Sequence, residues 1–120
     1  MVHELEADDV RMLVEIGFMA LSAGLTAQAQ AIFAGVKAAR PAQEAGPLGL
    51  ALTAMAQGDL PAAVAILRTL PPSDAALTYL GLALARSGER EEARRLLGEV
   101  LETAADPSFA ELAGGALAEL

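Results

Sequence analysis

The side chains that could perform chemistry are few, and their spacing assembles no reaction centre. His3 is the only histidine, Lys37 is the only lysine, and cysteine is absent. Glu91 and Glu92 are adjacent, so on a helix they point to different parts of the surface, and we interpret them as solvated charges. The glycines form neither GxxxxGK[ST] nor GxGxxG, the patterns that cradle phosphates. We therefore predict a protein that is not an enzyme and that has no metal site and no cofactor.

The composition predicts an all-α domain of acidic character. Hydrophobic residues make up 54% of the 120 residues but aromatic residues only 3%, and alanine and leucine, which favour helices, dominate. The formal net charge of −8 argues against nucleic acid as a partner. The one dense group of arginines is interleaved with glutamates, which indicates a salt-bridged, solvated helix face. Its arginines are Arg86, Arg90, Arg94 and Arg95.

The first ten residues carry no targeting signal that we can identify. A secretory leader needs a basic start followed by an apolar run, whereas this segment contains Glu4, Glu6, Asp8 and Asp9. No uninterrupted apolar stretch of about 18 residues follows. We expect a cytoplasmic protein that does not insert into membranes.

Three segments of the chain share one layout. Each contains a glycine, an alanine five residues later, and a large apolar residue four positions after that. The glycine suits the left-handed end of a first helix, the alanine suits a close helix contact, and the large residue fills the space between helices. The sets are Gly24, Ala29 and Phe33; Gly58, Ala63 and Leu67; and Gly88, Ala93 and Leu97.

This layout predicts three helix pairs and one last helix. The pairs occupy about 8–41, 42–72 and 73–105. The first pair has helices at about 8–22 and 26–39. The second pair has a helix that begins between about 43 and 47 and ends at 57, and another at about 60–70. The third pair has helices at about 74–87 and 89–104. The last helix, at 107–119 within 106–120, begins with Asp106 as N-cap and Pro107 in its first turn, and we interpret it as a solvating cap. The middle pair is short because Pro71 and Pro72 stop its second helix. This shortening indicates either a bend between pairs or only a shorter loop.

The glycine spacing and the pattern within each segment resemble tetratricopeptide (TPR) repeats. The first segment matches at every consensus position, with Gly17, Gly24, Ala29, Phe33 and Pro41. The resemblance implies a single domain over 1–120, built as a right-handed superhelix of three TPR-like helix-turn-helix repeats plus a C-terminal capping helix.

In the TPR register the first helix of each pair lines an inner groove, and this groove is apolar. It lacks the Lys, Arg and Asn side chains of TPR domains that clamp acidic C-termini. An apolar groove suits the apolar face of an amphipathic helix. The alternatives left open are that the C-terminal helix folds back into the groove or that two chains dimerise through it. The predicted groove residues are Val14, Phe18, Leu21, Leu48, Leu52, Met55 and Leu82.

The chain also resembles the small TPR chaperones of bacterial type III secretion, especially the class that guards the needle subunit. The likeness rests on the segment from Leu13 to Gly17, the Gln57-Gly58-Asp59 turn, the short middle repeat, and the ending from Asp106 to Phe109 followed by Leu112 and Leu117. It implies a chaperone that shields an amphipathic helix of a secreted client and prevents premature polymerisation. A second small helical co-chaperone and, without client, a homodimer are the further partners considered. The alternative is a generic TPR adaptor or a self-associating module.

Overall fold

The structure, a computed structural model, describes residues 6–120, and His3 lies outside that range. Every regular element in the described residues is an α-helix, which confirms the all-α prediction. Contacts between Cα atoms divide the chain into two compact units, one ending at Asp59 and the other covering Leu60–Leu120. The first contains α1 (Ala7–Ser22), α2 (Thr26–Ala39) and α3 (Ala45–Ala56). The second contains α4 (Leu60–Arg68), α5 (Asp74–Arg86), α6 (Arg90–Thr103) and α7 (Pro107–Leu117).

The three glycines of the repeated layout all end a helix in the same way. Gly24, Gly58 and Gly88 have φ of 79°, 79° and 86°, a region that L side chains rarely adopt. Each glycine N–H donates to the carbonyl three residues earlier, at 3.0–3.1 Å. The following N–H donates to the carbonyl five residues earlier, at 2.8–2.9 Å. This is the Schellman arrangement that satisfies the last carbonyls of a helix, so the predicted role of these glycines is confirmed.

Side-chain caps fix the starts of two helices where the sequence placed them. The Ser73 hydroxyl accepts the Ala76 N–H at 3.0 Å at the start of α5. The Asp106 carboxylate accepts the Ser108 N–H at 2.9 Å, and Pro107 occupies the first turn of α7. Helix α4 ends at Arg68, two residues before the predicted end at about residue 70. There the Thr69 hydroxyl donates to the Ile66 carbonyl at 2.6 Å, which closes the final turn.

The first unit is packed around the ring of Phe33, which is fully buried. Its neighbours on α1 and α3 are glycines, since a Cβ on Gly17 would lie 2.7 Å from the ring Cζ and a Cβ on Gly49 would overlap the ring. A Cβ on Gly46 would lie 2.6 Å from the backbone nitrogen of Lys37, so α2 and α3 approach closely at that point. The glycines therefore allow the aromatic ring to sit between helices at native packing density.

The second unit repeats this design with an aliphatic side chain. Leu97 on α6 is fully buried, and a Cβ on Gly81 of α5 would lie 2.7 Å from its Cδ2. Leu97 forms a core with Val100 and Ala113, so α7 is packed against α6 through a buried contact. The carboxylate of Asp74, the first residue of α5, also accepts the Ala105 N–H at 2.9 Å. The segment leading into α7 is therefore fastened to the start of α5.

Candidate functional site

Six of the predicted groove residues lie in the first unit, on two helices that contact each other, α1 and α3. All six are half-buried, so each keeps part of its apolar surface available to a partner. They are Val14, Phe18, Leu21, Leu48, Leu52 and Met55.

Phe18 has a second role that the sequence did not indicate. Its ring lies edge-on to Phe33, with the ring centroids 4.9 Å apart and the planes at 65°. Edge-to-face aromatic pairs of this kind contribute about 0.5–1.5 kcal/mol beyond the area that they bury. A substitution at Phe18 would therefore disturb the core as well as the surface, and Leu52 is the cleaner position for testing the predicted groove.

The seventh predicted residue, Leu82, lines an open groove between α5 and α7 in the second unit. The groove has a volume of about 640 Å³. Its apolar part comes from Leu82, Leu112 and Ala116, and Leu112 remains 40% exposed. The remaining lining residues are Ser108, Glu111, Gly115 and Glu119.

Helix α7 thus forms one wall of this groove and does not fill it. It contacts α6 and α5, and the ring of Phe109 stands edge-on to Tyr79 of α5 at a centroid distance of 6.2 Å. The interpretation of α7 as a mere solvating cap missed its lining residues. Two signals could have found them: the helical spacing of 108, 111, 112, 115, 116 and 119, and the 33-residue offset that relates Ser73 to Asp106 and Gly81 to Gly114. By that offset α7 occupies the place of a first helix in a further repeat.

The polar rim of the groove is acidic. The carboxylates of Glu111 and Glu119 make no hydrogen bond or ion pair within the described part of the chain, and no arginine or lysine lines the cavity. The groove therefore combines an apolar floor with two carboxylates that have no cationic partner among the lining residues.

A separate apolar stripe lies on α1. Met12, Ile16 and Met19 follow helical spacing and are 59%, 42% and 70% exposed. The first unit leaves these three large side chains in contact with solvent. The stripe was not among the predicted groove positions, although its spacing is visible in the sequence.

Glu92 lies in an ion pair between two helices that the sequence did not indicate. Arg68 of α4 donates to both Glu92 oxygens, at 2.9 and 2.8 Å, which is the paired geometry that favours arginine and carboxylate. This hydrogen bonding lowers the pKa of Glu92 and raises the pKa of Arg68. Arg95 approaches the same carboxylate at 3.8 Å, so the predicted pairing within α6 is present but secondary.

The described residues bring no three His, Cys, Asp or Glu side chains together as a metal site. Within residues 6–120 no helix combines the length and the apolar character needed to cross a bilayer. What the geometry provides is surface that could hold another polypeptide.

The packing of paired helices, the glycine turns and the first-helix surfaces define a helical repeat protein of TPR-like architecture. The sequence profile of a family described as tetratricopeptide repeat matches residues 20–76, a little under half of the chain, which supports a TPR-type protein. The repeat is typically a non-catalytic fold for protein interaction. The chain has no significant match among curated proteins or among solved structures.

Proposed function

We propose that the protein binds the apolar face of an amphipathic helix from a partner protein and performs no catalysis. The observation that carries this proposal is the open groove between α5 and α7, whose apolar floor includes Leu82 and a Leu112 that is 40% exposed. A helix laid along such a floor buries its own apolar stripe in return. In the first unit the proposal assigns the half-buried surface of α1 and α3 to the same task.

The particular role that we propose is a cytoplasmic chaperone of type III secretion that shields a helix of a secreted client, with the needle subunit as first candidate. Its support is the sequence likeness described above together with apolar surface that remains open on the free chain. A small helical co-chaperone would be the second partner. This role predicts that a short helical protein encoded beside this one co-purifies with it.

The test compares two leucines of similar exposure. Burying the exposed part of Leu112 against a helix should contribute about 1 kcal/mol, so Leu112→Gln should weaken binding of a client helix about five-fold. Leu25→Gln is the matched control, because Leu25 is 48% exposed, lies in the first unit and does not line the groove. Leu52→Glu tests the first unit. Equal client affinity for the Leu112 variant, the Leu25 variant and the parent, measured by calorimetry, would refute the proposal for this groove.

The stripe on α1 favours a second candidate function, self-association. The exposed parts of Met12, Ile16 and Met19 offer roughly 300–400 Å² per chain, whereas stable interfaces bury about 800 Å² on each partner. A dimer through this stripe alone should therefore be weak and concentration-dependent. Light scattering at rising protein concentration tests this by measuring the molecular mass of the parent and of the Ile16→Gln variant. A parent whose mass stays monomeric at every concentration would exclude self-association.

A further inference from the structure

We infer that the groove between α5 and α7 selects a partner helix whose apolar face is bordered by two Lys or Arg side chains about two turns apart. The inference rests on the proposed function, since it names the chemistry of the helix that the groove holds. It comes from the charges on the groove rim and from their spacing along the chain.

The rim carries two carboxylates and no cation. Glu111 and Glu119 both line the cavity, and neither carboxylate has a hydrogen bond or ion pair among the described residues. A helix that buries the groove floor brings its own bordering side chains against these carboxylates. If the bordering side chains of the partner helix are cations, they form two ion pairs with the rim; if they are carboxylates, they are repelled by the like charges of the rim at short range.

The spacing of the carboxylates sets the spacing of the cations. Glu111 lies in α7 and Glu119 in the helical turn that follows it, eight residues later, which corresponds to about 12 Å along the axis. On a partner helix, positions i and i+7 are about 10.5 Å apart and share one face. Apolar side chains at i+3 and i+4 then lie between the cations and face the floor formed by Leu82, Leu112 and Ala116.

A second copy of this chain is a poorer occupant, because its net charge of −8 opposes approach to an acidic rim. A neutral helix would gain the apolar contact without the ion pairs. Discrimination between cationic, neutral and anionic borders is therefore the property that the structure predicts.

The experiment uses the full chain and three synthetic helical peptides with the same leucine face. The peptides carry Lys, Gln or Glu at positions i and i+7, and their affinities are measured by fluorescence anisotropy at low and high salt. Exposed ion pairs are individually weak, so the Lys peptide should bind roughly three- to ten-fold more tightly than the Gln peptide. The Glu peptide should bind most weakly, and the differences should shrink as salt screens the charges.

Matched charge variants locate the effect. The double variant Glu111→Gln/Glu119→Gln should abolish the preference for the Lys peptide and leave the affinity for the Gln peptide unchanged. Glu99→Gln with Glu102→Gln is the control, since it removes the same charge from exposed positions of α6 that do not line the groove.

Failure of the inference and failure of the proposed function give different results. If the three peptides bind the parent with equal affinity while Leu112→Gln weakens the binding of each, the inference is overturned and the proposed function stands. The same conclusion follows if the preference for the Lys peptide survives in the Glu111/Glu119 variant. If no peptide binds, or if Leu112→Gln changes nothing, both fall. A dimer of the free protein that Leu112→Gln dissolves would assign the groove to a second copy and would also overturn the inference.

Discussion

Replacing Gly49 by alanine tests whether the buried Phe33 ring depends on a missing side chain on α3. The added Cβ would overlap Phe33 at Cγ, Cδ1 and Cε1, close to the base of the ring, so a rotation of the ring tip cannot relieve the contact. At Gly17 the contact is with the far end of the ring, at 2.7 Å from Cζ. The substitution at Gly49 should therefore be the more harmful of the two.

Two opposing effects determine the magnitude. Alanine favours a helix interior over glycine by about 0.5–1 kcal/mol. Overpacking a well-packed core costs about 1–3 kcal/mol, since the neighbours must leave their preferred rotamers or the backbone must shift. The steric effect should prevail, which gives a net loss of about 1–2 kcal/mol and lowers the Tm by about 3–8 °C.

Gly35→Ala is the matched control, because Gly35 also lies within a helix and a Cβ there meets nothing within 4 Å. It should stabilise the protein by about 0.5–1 kcal/mol. Thermal and urea unfolding followed by circular dichroism compare the two variants. Phe33→Leu introduces the residue type that the other two repeats have at the equivalent positions, Leu67 and Leu97. In that background the loss of stability caused by Gly49→Ala should be much smaller. A Gly49 variant that melts with or above the parent, or a penalty unchanged by Phe33→Leu, would refute the reasoning.

Three further predictions concern the turns, the ion pair and the last helix. Gly88 has a φ of 86°, so Gly88→Ala should lower the free energy of unfolding in urea by about 1 kcal/mol. Gly98→Ala should raise the free energy of unfolding, because Gly98 lies within α6 and a Cβ there meets no other atom. Equal effects of the two substitutions would contradict the turn assignment. Glu92→Gln should lower the Tm at neutral pH, because the variant loses the ion pair with Arg68. Since this pairing depresses the pKa of Glu92, the loss should be complete above the ordinary pKa of a glutamate and should vanish as the pH falls through the lower pKa of the folded state. A difference in Tm that does not depend on pH would show that the pair does not matter. Asp106→Ala should lower the Tm by a few degrees and weaken peptide binding to the groove, because the carboxylate caps α7. Asp106→Asn should retain the Tm and the peptide affinity of the parent. An alanine variant that melts at the same temperature as the parent would contradict this prediction.

Local features of the fold were readable from the sequence because their cause lies within a few residues. A glycine followed at fixed distances by alanine and a large apolar residue predicted both the positive φ of the turns and the burial of Phe33 and Leu97. The end of α4 was readable in principle as well. The prediction placed the stop at Pro71 and Pro72, but a proline also disfavours helical geometry in the residue before it, here Leu70, so its effect begins earlier in the chain.

The candidate site was predicted only in part, because its missing members depend on tertiary packing. Leu82 was identified from the repeat register, whereas Leu112 was assigned to a cap, since nothing local shows that α7 lies beside α5. The partner of Glu92 was missed for the same reason: Arg68 is 24 residues away, on another helix. Charge pairs across helices become visible only when the packing is known.

The position of α7 as a groove wall makes binding part of a folding equilibrium. Among the described residues α7 is held by α5 and α6, and its approach is fastened at Asp74. Detachment of α7 would expose Leu97 and Val100, which its Ala113 covers, while the packing of α5 against α6 could remain. Each detachment removes the groove, and a ligand therefore binds only the fraction of molecules with α7 docked. Amide hydrogen exchange in α7 should slow in proportion to ligand occupancy, and substitutions far from the groove that loosen α7 should weaken affinity without touching the ligand.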